Sequence, residues 1–208
     1  MRLTRGVLYA VGLTGSIGSG KTTVAELFAK YYHIAIISAD ECAQEVIQQS
    51  AVIEAIAQYF GNVILNEQQQ VNRQYLREII TQDSKAKAWL DRLMHPMIRE
   101  KIYQKAKASR SDYTIIEIPL LAKNNLRHYR YLKKIITVVA TSQLKISRIM
   151  ARDNSNIEQA NLMLNSQISD HERIAFSDYI IENNTSKIAL KKQVETIHRA
   201  IVSDITMD

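Results

Sequence analysis

The chain has 208 residues, 46% of them hydrophobic and 23% charged, which suits one folded domain with a substantial core and excludes disordered and fibrous classes. Six Gly and two Pro leave no linker-like stretch, and a single cysteine, Cys42, excludes an internal disulfide framework and fits a reducing compartment. The net charge of +6 is either a solvated basic surface or a preference for polyanions; without a run of like charges or a basic stripe spaced by aromatics, nucleic acid is the weaker partner.

Arg2 and Arg5 followed by the apolar run Val7–Leu13 imitate a secretory leader, but Gly12 interrupts the run and a Gly-rich loop ending in Lys21 follows at once. No stretch approaches the ~18 consecutive apolar residues of a membrane span, so the cytoplasm is the expected compartment. Short β-branched runs at Val7–Thr14, Ile34–Ser38, Tyr113–Ile118, Ile135–Thr141 and Tyr179–Glu182 read as five strands. Several are apolar at consecutive positions, as in strands covered on both faces. The segments between them are long enough for crossover helices, so the expected fold is α/β with a mostly parallel sheet.

Thr22–Tyr32 reads as the first helix, and Leu190, Val194, Ile197, Ile201 and Ile205 step by three and four into a closing amphipathic helix. From about 41 to 110 no strand is evident; this is a helical insert, with Pro96 at the first turn of a helix running to about Ser109. The stretch from about 142 to 177 is helical and rich in Arg, Asp and Asn, as befits a polar flap. The expected organisation is a single domain, 1–208. Its core takes in about 1–40, 111–141 and 178–208, the insert about 41–110 and the flap about 142–177.

Gly15-Ser16-Ile17-Gly18-Ser19-Gly20-Lys21-Thr22 matches the phosphate-binding pattern G-x-x-x-x-G-K-[ST], between a predicted strand and a predicted helix. Glycines let phosphate oxygens approach the backbone, whose successive N–H groups form an anion nest at a helix N-terminus. Gly15, Gly18, Ser19, Gly20, Lys21, Thr22 and Thr23 are therefore the expected nucleotide-binding residues. Lys21 reaches the β- and γ-phosphates, and the Thr22 hydroxyl is placed to ligate Mg²⁺. The expectation is a phosphotransferase with ATP as co-substrate, although the loop alone does not separate kinases from GTPases, motors or switches.

Such a loop does not by itself choose the acceptor. Asp40 closes the second predicted strand, where it is either a general base facing the γ-phosphate or the N-cap of the next helix. Lys145, Arg148 and Arg152 share one helical face; Arg148 and Arg152 are read as neutralising a transferring phosphoryl group, and Lys145 as part of a solvated face. Glu117, at the end of the third strand, either approaches the metal through water or is a plain strand-end residue. His95, before Pro96, is more often an N-cap-like residue than a substrate contact.

Together these segments resemble the dephospho-CoA kinase family. The resemblance is carried by Leu13-Thr14 with the phosphate loop through Thr23, Ala39-Asp40, Phe60-Gly61, and Arg73 before Leu76. It continues through Leu93-Met94-His95-Pro96-Met97-Ile98, Ile118-Pro119-Leu120-Leu121, and Arg148-Ile149-Met150-Ala151-Arg152-Asp153. It ends with Gln167, Arg173 and Asp178-Tyr179-Ile180-Ile181-Glu182-Asn183, and so covers nearly the whole chain.

The resemblance implies a P-loop kinase-type sheet flanked by helices, and transfer from ATP to the ribose 3′-hydroxyl of dephospho-CoA, the last step of coenzyme A synthesis. It implies that Asp40 is the general base and that the insert binds CoA. Asp40, Arg73, His95 and Leu120 would be acceptor contacts, and the Arg148–Arg152 helix would be a lid. Ser38, Gln44 and Ala122-Lys123 depart from the family's common Asp, Arg and Phe-Glu, which bears on acceptor contacts rather than on the phosphate loop. The rival readings are a P-loop kinase for a nucleoside, sugar or shikimate-like acceptor, and a nucleotide switch or ATPase without a small acceptor.

Overall fold

The computed structural model describes residues 8–207; Arg2, Arg5 and Val7, from the leader-like reading and the start of the first predicted strand, lie outside them. Five strands, β1 (Ala10–Thr14), β2 (Ala35–Ser38), β3 (Thr114–Glu117), β4 (Leu132–Val139) and β5 (Tyr179–Glu182), form one sheet in the order β2-β3-β1-β4-β5. Every pairing is parallel. β1 lies at the centre, and all five of its residues are buried, which is why Ala10–Leu13 carry no polar side chain and do not alternate.

Each predicted strand is present, Tyr179–Glu182 with the same ends and the others with adjusted ones. β4 begins at Leu132 rather than Ile135, because Lys133 and Lys134 read as loop in isolation; Lys134 instead pairs with Asp204 at 3.2 Å. The far end stops at Val139, and Thr141 caps the following helix by accepting from the Leu144 N–H.

The helices are α1 (Lys21–Tyr32), α2 (Ala39–Val46), α3 (Ser50–Phe60), α4 (Arg73–Gln82), α5 (Ser84–Ala108), α6 (Ser142–Asp153), α7 (Ile157–Asn165), α8 (Asp170–Ile174) and α9 (Lys187–Met207). α1 turns Val24, Ala25 and Phe28 inward, and α9 turns Leu190, Val194, Ile197 and Ile201 inward. With Val11, Leu13, Ile115, Ile136, Val138 and Ile181 of the strands they make one core. Each fully buried branched or aromatic side chain there stabilises the fold by about 1.5–3 kcal/mol. Among the described residues, no helix is long and apolar enough to cross a membrane.

Ala39–Lys105 form a separate compact unit. Its own core holds Val46, Val52, Ile56, Ile64, Val71, Leu76, Leu90 and Met94. Apart from the isolated bridge Leu65–Val71, it is helical, and Cys42 is buried within α2. Burial pushes the Cys42 thiol pKa up.

One expectation here is corrected. Pro96 does not open a helix; it lies inside the 25-residue α5. The start signal is Asp83, whose Oδ1 accepts from the Lys85 and Ala86 N–H groups at 2.8 and 3.1 Å. A proline inside a helix costs about 3 kcal/mol through a lost hydrogen bond and a ring clash. Pro96 and Arg92 are exposed, so water reaches the backbone there, while Ala86, Leu90 and Met94 bury the opposite face.

Candidate active site

The connection from β1 to α1 is the predicted phosphate loop. Ser16 and Ser19 are buried, and the Lys21 ammonium curls back over the loop, donating to the Gly15 carbonyl at 2.8 Å and the Ser16 carbonyl at 3.1 Å. Gly20 starts α1 with φ 92°, and no side chain caps the helix. That leaves the positive end of α1 to an anion. A Cβ at Gly20 would collide with the Asn183 amide, and one at Gly18 would lie 2.6 Å from the Lys145 carbonyl oxygen. Two glycines of the motif are thus required by packing as well as by ligand approach.

Glu117 sits at the carboxyl end of β3, in register with Leu13 of β1 and Ser38 of β2. The Thr22 hydroxyl in the first turn of α1 donates to Glu117 Oε1 at 3.3 Å. A hydroxyl beside a carboxylate is an all-oxygen donor pair. Among the described residues there is no cluster of three or more His, Cys, Asp or Glu suited to a metal. The hydroxyl and carboxylate oxygens of Thr22 and Glu117 are hard donors of the kind Mg²⁺ takes from a protein.

The far side of the loop is held by residues distant in sequence. Arg148 Nη1 donates to the Gly18 and Ser19 carbonyls at 3.1 and 3.3 Å, and its Nη2 donates to the Asn183 carbonyl at 3.0 Å. Asn183 Nδ2 donates to the Ser19 carbonyl at 2.8 Å. The Ile17 N–H donates to Gln167 Oε1 at 3.0 Å, and the Ser16 hydroxyl donates to Asp170 Oδ1 at 2.9 Å. Arg173, 1% exposed, donates to the Ile168 carbonyl and so braces the turn that carries Gln167 and Asp170; burial lowers its pKa.

The three cations of α6 therefore have different settings. Arg148 is on the loop. Arg152 is exposed and clasps its neighbour Asp153 with two bonds of 2.7 Å, which holds the Asp153 carboxyl below its usual range. Lys145 corrects the solvated reading: it is 6% exposed and pairs with Asp170 Oδ2 at 2.8 Å. The spacing of Lys145 and Arg148 places them on one face, but nothing local in the sequence shows that this face is covered. Asp170, 25 residues away, was missed for the same reason.

The remaining candidates are solvent-facing. Asp40 is an exposed residue in the first turn of α2, beyond the N-cap position considered for it. Arg73 is exposed at the start of α4, where Asn72 is the cap. His95 is mid-helix, so it is no cap; its Nε2 lies 3.5 Å from Asp91 Oδ1. Leu120 follows β3 and is 67% exposed.

The chain is similar to known proteins along most of its length. The family model for dephospho-CoA kinase matches residues 9–189. A dephospho-CoA kinase of Vibrio parahaemolyticus is 39% identical over 90% of this chain and 92% of its own. A solved dephospho-CoA kinase of Campylobacter jejuni is 29% identical, covers 94% of this chain and 98% of its own, and superposes with a TM-score of 0.64. A Thermus thermophilus crystal structure, at 22% identity, covers 96% of this chain and 98% of its own with a TM-score of 0.80, which speaks to fold alone. With the phosphate loop, its bracing arginine and this match through residue 189, the chain belongs to the dephospho-CoA kinase family.

Proposed function

We propose that the chain holds ATP on residues 15–22 and transfers its γ-phosphoryl group in line to the ribose 3′-hydroxyl of dephospho-CoA, giving coenzyme A and ADP. One observation carries the nucleotide end of this reading: two cations, Lys21 and Arg148, are docked on four carbonyls of the same five-residue arc, those of Gly15, Ser16, Gly18 and Ser19. Backbone amides, a helix terminus and two fixed positive groups are what a triphosphate requires. Family membership supports ATP and dephospho-CoA as the two substrates.

In this reading Asp40 takes the proton of the attacking hydroxyl while the new O–P bond forms and the bond to the β-phosphate oxygen breaks, releasing ADP. Lys21 and Arg148 stabilise the charge on the phosphates. Arg152 exchanges its Asp153 partner for a phosphoryl oxygen once substrate is bound. Thr22, with Glu117 beside it, would hold Mg²⁺, which would supply neutralisation of phosphate charge when bound.

Gly15, Gly18, Ser19, Gly20 and Thr23 complete the nucleotide cradle. The helical unit, with Arg73 and His95, binds the acceptor, and Leu120 contacts it from the turn after β3. Residues 142–177 form the lid, excluding water so that the hydroxyl is phosphorylated in preference to hydrolysis. The cytoplasm, where both substrates are met, is the compartment; the buried Cys42 thiol is compatible with it.

The test is ADP release coupled to an indicator reaction, with dephospho-CoA compared against nucleosides, sugars and shikimate-like alcohols. Turnover confined to dephospho-CoA is expected. Turnover of another alcohol with none of dephospho-CoA overturns the acceptor assignment.

A further inference from the structure

Lys145 is the most deeply buried lysine side chain among the ion pairs of the described residues, at 7% exposure. An ammonium so placed is costly unless it is paired and hydrogen-bonded. Its partner Asp170 uses both carboxylate oxygens: Oδ2 accepts from Lys145 Nζ at 2.8 Å, and Oδ1 accepts from the Ser16 hydroxyl at 2.9 Å. The carbonyl of that same Ser16 accepts from Lys21 Nζ at 3.1 Å. Four residues from three segments are thereby joined, ending on the lysine of the phosphate loop. The Lys145 backbone also lies against Gly18 of that loop.

We infer that Lys145 is a positioning residue for nucleotide binding, acting through Asp170 and Ser16. The inference rests on the reading of loop 15–22 as the ATP site. Asp170 holds the Ser16 side chain, and the carbonyl of that residue is one of the two acceptors on which Lys21 is parked. A bare carboxylate one hydrogen bond from the phosphate loop would, however, repel a triphosphate, and charge interactions are strong where water is partly excluded. Lys145 cancels that charge. Arg148, one turn further along α6, holds the other arm of the loop at Gly18 and Ser19. One helix therefore sets both arms, one directly and one through an ion pair.

A pair that served only as a staple of the fold would affect melting temperature and leave nucleotide kinetics alone. The experiment compares the full chain with Lys145→Gln, Asp170→Asn and the double variant, reading melting temperature, kcat, and KM for ATP and for dephospho-CoA separately. Conversion by the unaltered chain comes first, since its failure would remove the functional reading and not this inference. Lys145→Gln is expected to raise KM for ATP about tenfold, with KM for dephospho-CoA moving by less than about twofold, because the unpaired Asp170 charge acts on the nucleotide side. Adding Asp170→Asn is expected to restore most of the ATP affinity, since a neutral amide pair preserves the bridge without a bare charge.

An unchanged KM for ATP in Lys145→Gln, or a double variant no better than Lys145→Gln, overturns the inference. If Lys145→Gln does not fold, Ser16→Ala reports the same link by removing one hydroxyl. An increase of about threefold in KM for ATP supports the inference, and an unchanged value overturns it.

Discussion

Around residues 15–22 side chains and carbonyls are held by bonds to the protein's own residues. Ser16 is held by Asp170, the Ile17 amide by Gln167, and the Ser19 carbonyl by Asn183 and Arg148. The helical unit Ala39–Lys105 has a buried core of its own, yet Asp40, Arg73 and His95 are exposed. The difference follows from the ligands proposed for each. A triphosphate has one compact, highly charged shape, and dipoles fixed beforehand stabilise it without reorganisation cost. A general base and acceptor contacts must meet a larger, flexible molecule, and exposed side chains suit that.

This contrast is open to direct attack. The largest expected effect is on chemistry without binding: Asp40→Asn should cost roughly 10²–10⁴ in kcat, as loss of a general base does, while nucleotide affinity stays near that of the unaltered chain. Parallel losses of both would make Asp40 part of the prearranged region. Next, Arg148→Ala should lower kcat/KM for ATP by about 10² to 10³, since it removes a phosphate cation and three bonds to the Gly18, Ser19 and Asn183 carbonyls. Arg148→Lys should recover little, because an ammonium lacks the planar fork that spans those carbonyls.

A smaller effect is expected from Gly20→Ala, which forces an alanine to φ 92° against the Asn183 amide. Strain of this kind costs on the order of 1–3 kcal/mol, and thermal unfolding should show it together with weaker ATP binding. The smallest lies at the half-buried His198 of α9, away from any phosphate chemistry. His198 stacks on Tyr32 at 3.9 Å and bonds to the Tyr113 hydroxyl at 2.9 Å. Burial lowers its pKa, with Asp112 opposing and Arg199 assisting. A depressed histidine stays neutral in the fold, so below its ordinary value of about 6.5 the unfolded chain takes up a proton that the folded chain resists. Melting temperature should therefore decline as pH falls below that value, and His198→Gln should flatten the decline.

The sheet, the phosphate loop and the closing helix were legible because each is written in neighbouring residues. Consecutive β-branched runs mark covered strands, the glycine spacing marks the loop, and Leu190 to Ile201 keep helical step. What was not legible depends on partners far along the chain. Lys145 looked solvated because its carboxylate is in a separate segment, at Asp170, and because a lysine three residues from an arginine reads as a charged face. α5 was cut at Pro96 because proline is a strong local signal, whereas the weaker Asp83 cap and the inward row Ala86, Leu90 and Met94 decide where the helix starts. Glu117 in isolation carries both readings; the strand register brings it within 3.3 Å of the Thr22 hydroxyl, a contact that no local pattern encodes.

The central claim is that amides of residues 15–22 and the Lys21 ammonium grip the nucleotide from which the phosphoryl group leaves. Its most direct test is Lys21→Ala, with ATP affinity measured by titration and coenzyme A formation followed from ATP and dephospho-CoA. The account predicts that nucleotide binding weakens markedly and product formation is nearly abolished. Wild-type affinity together with wild-type product formation would contradict it.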